Sequence, residues 1–135
     1  MDVTALQALL AEMFAPWVQA LDLRVTGTTD DGVQLVLPVT ARHVHGGGVL
    51  CGQTLMAAAD TAMVLAVSHR LGGFKPMTTV QLQTSFLRPV PAALPAVVVD
   101  ARLLKGGRSL VFGEVRLVLP DGQICAHATT TYALL

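Results

Sequence analysis

Between Gly52 and Leu71 this chain runs without a proline through Ala, Leu, Met and Val, and the residues beyond it read as strands almost to the last position. Ala, Leu and Met are strong helix formers, so the segment reads as one long helix. Its apolar residues fall on all sides instead of along one stripe, and such a helix has to be buried. One all-round apolar helix among strands leaves few architectures, because each strand also needs an apolar face covered. The simplest is a sheet curled about the helix. A membrane span is the rival for Val49–Val67. Gln53 and Asp60 lie inside that stretch, however, and an Asp near a span centre costs about 3 kcal/mol on insertion scales.

The rest of the chain fits the curled sheet. Leu6, Leu9, Leu10, Met13 and Phe14 have helical spacing within Val3–Leu21, and Pro16 breaks or kinks the end of that helix. Two strand-like runs come next, Leu23–Thr28 and Val33–Val39, joined by the turn Asp30-Asp31-Gly32. Gly46-Gly47-Gly48 leads into the long helix, and Gly72-Gly73 with Pro76 stops it. In Met77–Leu87, Val80, Leu82, Thr84 and Phe86 alternate with Gln81, Gln83 and Ser85. Val97–Leu104 and Ser109–Leu119 flank Lys105-Gly106-Gly107-Arg108, and Pro120-Asp121-Gly122 turns into Gln123–Leu134. Adjacent hairpins make the sheet antiparallel. The expectation is an α+β chain, residues 1–135 as a single domain, with an antiparallel sheet around one central helix and a short N-terminal helix.

Charge excludes some function classes. The formal net charge is zero, which gives no basic field for nucleic acid. Hydrophobic residues make up 53%, high for a monomer of this size, so a homo-oligomer that buries part of the surface is expected. Cys51 and Cys125 form no CxxC or zinc spacing, and His43-Val44-His45 lacks spaced partners, so no metal is expected. Met1-Asp2-Val3-Thr4 has no basic start, so a cytoplasmic protein without a signal peptide is expected.

Asp60 is the residue that packing does not explain. It lies within Leu55-Met56-Ala57-Ala58-Ala59-Asp60-Thr61-Ala62-Met63, where a carboxylate loses several kcal/mol of solvation unless it is paired or used. It is either a structural contact to a nearby hydroxyl or Arg, a polar contact at an oligomer interface, or a base. Gln53, seven residues earlier, shares its helix face.

In order and spacing, several fragments resemble the hotdog-fold acyl-CoA thioesterases, specifically the PaaI-like group. His45-Gly46-Gly47-Gly48-Val49-Leu50-Cys51-Gly52-Gln53 stands where that group has an Asn or Gln, a glycine-containing loop and His-Gly-Gly at the helix start. Gly52 matches the first Gly of the pair, and Asp60 matches the acidic position nine residues after Cys51. Phe86-Leu87-Arg88-Pro89 matches the end of the following strand, and Gly107-Arg108-Ser109 resembles a closing hairpin. Three positions depart: Cys51 replaces the usual His, Gln53 the second Gly, and His45 the Asn or Gln.

The resemblance implies thioester hydrolysis without a cofactor on an acyl-CoA substrate, in a dimer or dimer of dimers. Asp60 is then general base or nucleophile, and the Gly52 N–H is the oxyanion donor of the other subunit. On one helix the two lie about 12 Å apart, at ~1.5 Å per residue, too far to share one carbonyl. Thr79 orients water or the carboxylate, His45 supports the site, Gln53 and Cys51 line it, and Arg88 and Arg108 are candidates for CoA phosphates. Two other readings stay open. One is a non-catalytic acyl-CoA binder, given Cys51. The other is a hotdog hydratase or dehydratase pairing His45 with Asp60, although the Asp-x-Asn-x-x-His pattern of one such group is absent.

Overall fold

Asp2 starts the first helix by accepting a hydrogen bond from Ala5 N–H at 2.8 Å, and α1 runs from Val3 to Met13. In this computed structural model, which describes residues 1–135, α1 buries Leu6 and Leu10. The helix expected through Leu21 is split. Phe14 is extended, and Pro16 starts a separate short helix, α2 (Pro16–Gln19). Proline lacks the N–H that a continuing helix needs, but it suits a first helical position.

Six strands form one sheet: β1 (Arg24–Thr28), β2 (Gly32–Pro38), β3 (Met77–Phe86), β4 (Ala96–Gly106), β5 (Leu110–Val118) and β6 (Ile124–Leu134). Their order is β1-β2-β4-β5-β6-β3, and every neighbouring pair is antiparallel. The long helix, α3 (Gly52–Leu71), joins β2 to β3 and packs against the inner face of the sheet. It stops at Gly72, whose φ of +76° is a left-handed conformation that suits glycine. The N–H groups of Gly72 and Gly73 donate to His69 O and Ser68 O at 3.2 and 3.0 Å, which satisfies carbonyls the helix end would leave bare.

The sheet does not close around α3. Thr54, Leu55, Ala58, Ala59, Thr61, Ala62, Met63 and Leu65 are buried, but Gln53 is exposed and Met56, Ala57, Asp60 and Val64 are only half-buried. These last residues share one stripe. The sheet covers most of the helix as expected, and it ends at β3, so the stripe beside that edge strand stays open in the single chain. Val80, Phe86 and Leu87, on or just beyond β3, add apolar surface at 58, 51 and 55% exposure.

The face of β3 also needs correction. Thr79 pairs with Tyr132 of β6, but the next pair is Gln81 with Thr131, so Val80 is the extra residue of a β-bulge. The extra residue shifts the alternation by one. The inward set is Met77, Thr79, Leu82, Thr84 and Phe86, and Val80 leaves the face where simple alternation put it.

Candidate active site

The start of α3 is held by a short looped segment. Cys51 N–H donates to His43 O at 2.9 Å, and His45 N–H donates to Val49 O at 3.1 Å. Cys51 is the last extended residue before the helix, and its Sγ lies 3.0 Å from Thr54 Oγ1. The next two amides, Gly52 N–H and Gln53 N–H, have no partner within the chain. Unpaired N–H groups at the positive end of a helix dipole suit a developing negative charge.

Gly52 faces a ring. A Cβ on Gly52 would lie 3.3 Å from the ring of Phe86, so glycine leaves the amide approachable between helix and strand. Beside it lies a hollow of 240 Å³ lined by Leu50, Leu55, Phe86, Leu87, Val90 and Arg88. The Arg88 guanidinium itself bonds Ile124 O at 2.7 Å.

His45 sits in the glycine loop, where its Nδ1 accepts from Gly47 N–H at 2.9 Å. In the neutral ring that bond leaves the proton on Nε2, making His45 a donor there. A Cβ on Gly47 would come within 2.6 Å of the ring, so the bond depends on the glycine.

Asp60 lies two turns beyond Gly52 on the open stripe. Thr79 Oγ1 donates to its Oδ1 at 3.0 Å, and the Tyr132 hydroxyl donates to the same Oδ1. That hydroxyl also lies 3.1 Å from the main-chain oxygen of Asp60. Tyr132 is 1% exposed. Burial first, then the charge and hydrogen bond of Asp60, push the phenol far above its ordinary range, so it stays a donor. Asp60 is thus a half-buried carboxylate, hydrogen-bonded by a nearby hydroxyl.

Thr79 and Asp60 are brought together, and Gly52, Cys51, Gln53 and Arg88 lie at the start of the helix. Arg108 does not join them. Its hairpin, Gly106–Ser109, packs near Val67 and Leu71 at the far end of α3. Arg88 and Arg108 therefore lie at opposite ends of one chain. Tyr132 was missed. It is the only tyrosine in the chain, and alternation along the last strand puts Ala128, Thr130 and Tyr132 on one face. Its partner strand became visible only with the sheet order.

The outer face of the sheet carries a separate polar groove of 460 Å³, lined in part by Asp31, Gln34, Asp100, Arg102 and Arg116. It contains none of the residues around Gly52 and Asp60. Next to it, Glu114 is bonded by His127 and Arg102, which hold its carboxyl below the ordinary range.

A sequence profile of the Thioesterase superfamily matches residues 42–126, which include the helix start, Asp60 and Thr79. Solved structures with the same fold include a thioesterase of Haemophilus influenzae, at 23% identity with a TM-score of 0.85, covering 96% of this chain and 90% of that one. The PaaI protein of the E. coli phenylacetic acid degradation operon has 17% identity and a TM-score of 0.85, over 98% and 91% of the two chains. Zebrafish thioesterase superfamily member 2 has 21% identity and a TM-score of 0.84, over 98% and 95%. The sheet curled on a central helix is the hotdog fold of these proteins, and the chain belongs to the Thioesterase superfamily as a hydrolase of the thioesterase and esterase kind.

Proposed function

We propose that this protein hydrolyses an acyl-CoA thioester to the free acid and CoA, with Asp60 as general base or nucleophile and Gly52 N–H as the oxyanion donor. One observation carries the reading: an unpaired amide at the start of α3 and a hydrogen-bonded carboxylate two turns on lie along the same open edge of the molecule. In the base route, Asp60 takes a proton from water as the water oxygen bonds the carbonyl carbon. The C–S bond then breaks, and the thiolate leaves and takes up a proton. In the nucleophile route, the carboxylate bonds the carbonyl carbon, the C–S bond breaks as the thiolate leaves and takes up a proton, and water then opens the mixed anhydride to the free acid and the restored carboxylate. Gln53 and His45 supply polar lining in either route. Cys51, bonded to Thr54, shapes the turn into the helix.

The separation of Gly52 and Asp60, about 12 Å along the helix, fits a site completed across a two-fold interface. The open stripe of α3 and the apolar side chains Val80, Phe86 and Leu87 supply a face for that second copy. Arg88 is well situated to meet CoA phosphates, because it borders the hollow beside Gly52. Arg108 would meet the same CoA only if the partner subunit brings it there.

Thiol release from a panel of acyl-CoAs tests the activity, with Asp60→Asn as control. The variant keeps the shape of the side chain and loses its basicity, so kcat should fall by about 10²–10⁴-fold with the fold intact. Near-normal turnover in the variant would exclude Asp60 from the chemistry. Binding without turnover by the parent protein would favour a non-catalytic acyl-CoA binder.

A further inference from the structure

We infer that Tyr132 is a positioning residue for the reaction: with Thr79 it fixes Oδ1 of Asp60, so that Oδ2 is the oxygen that meets water or the thioester carbonyl. The inference rests on the reading of Asp60 given above and adds a residue and an atom to it.

Three observations carry it. Both donors address the same oxygen, Thr79 Oγ1 at 3.0 Å and the Tyr132 hydroxyl beside it. Oδ2 has no partner within the chain and, unlike Ser68 Oγ and Thr84 Oγ1, is not sealed from the surface. The two donors also face each other across β3 and β6 in the last regular pair before the Val80 bulge. The sheet therefore presents them side by side to one point on the helix.

The phenol suits this task better than water would. At 1% exposure its hydroxyl has no solvent to turn to, and its other acceptor is the main-chain oxygen of the same Asp60. A carboxylate with one oxygen held by two donors cannot rotate freely about its last bond. The free oxygen then keeps one direction, and holding a reacting group in one geometry is worth much of a catalytic barrier. A tyrosine that only filled the core would satisfy its hydroxyl without regard to which carboxylate oxygen it met.

Steady-state kinetics on the best acyl-CoA of the panel separate these roles. Tyr132→Phe keeps the ring and removes the donor, so kcat should fall tenfold or more while KM moves less than twofold. Thr79 is exposed, so Thr79→Val tests the same clamp without disturbing the core, and it should show the same split. Because both donors hold one oxygen, the double variant should lose less than the product of the single losses. A Tyr132→Phe protein with lowered thermal stability and unchanged kcat would overturn the assignment, as would losses that simply multiply. If the parent hydrolyses acyl-CoA and Tyr132→Phe matches it, only this assignment fails. If the parent hydrolyses no thioester, the reading of the site fails and this inference with it.

Discussion

Phe86 lies against Gly52 so closely that a Cβ on the glycine would sit 3.3 Å from the ring. Phe86 is half exposed and can move aside, so Gly52→Ala should fold normally. The added methyl would nevertheless occupy the approach to the amide. The expected outcome is a kcat/KM lowered about tenfold, roughly 1.4 kcal/mol of transition-state binding, with an unchanged melting temperature. Full activity in this variant would remove Gly52 N–H from the oxyanion role.

The open edge of β3 gives a second prediction. The parent protein should sediment as a dimer or a larger even oligomer at micromolar concentration. Val80→Glu puts a charge on the exposed bulge and should both dissociate the protein and abolish turnover. A monomer with full activity would rule out a site shared between subunits.

Much of this arrangement was legible in the residues, and the exceptions have one cause. Helix α3 was readable because its composition, its two closing glycines and Pro76 all act locally. The strands were readable from their turns. The bulge at Val80 was not, because it arises from how β3 pairs with β6, and those strands are far apart in the chain. Tyr132 was hidden for the same reason: nothing near it in sequence indicates Asp60. The half-exposure of Asp60 reflects where the sheet ends, which local periodicity does not encode.

Gly113 gives a stability prediction independent of the chemistry. It lies in β5 beneath α3, and a Cβ there would come within 2.3 Å of Met63 Cε and 2.9 Å of Arg102 O. Met63 can bend, but the strand carbonyl cannot retreat without disturbing the ladder. Gly113→Ala should destabilise the protein by about 1–3 kcal/mol, measured by denaturant unfolding. A stabilised variant would mean that the helix rides further from the sheet.

The outer face of the sheet should respond to acid. The His127 hydrogen bond, and then Arg102, hold the Glu114 carboxyl below its ordinary value of 4.5. A carboxyl depressed in the folded state contributes stability above its unfolded value and loses it as pH falls through the folded one. Glu114→Gln should therefore melt below the parent at pH 7. The gap should narrow as pH drops beneath 4.5. A gap that stays constant through that range would show that the carboxylate contributes nothing as a charge.

Val80 carries no charge and makes no side-chain hydrogen bond, yet it sets the phase of its strand. Residues before it and residues after it reach the same face of the sheet only because one position is counted twice. Phe86, which borders the hollow at Gly52, thus shares a face with Thr79 although the two stand seven positions apart. A shift in register by a single residue at this point would leave every polar group present and yet separate the hydroxyl from the carboxylate. The meeting of Thr79 with Asp60 therefore depends on a backbone irregularity at a residue whose own side chain makes no hydrogen bond.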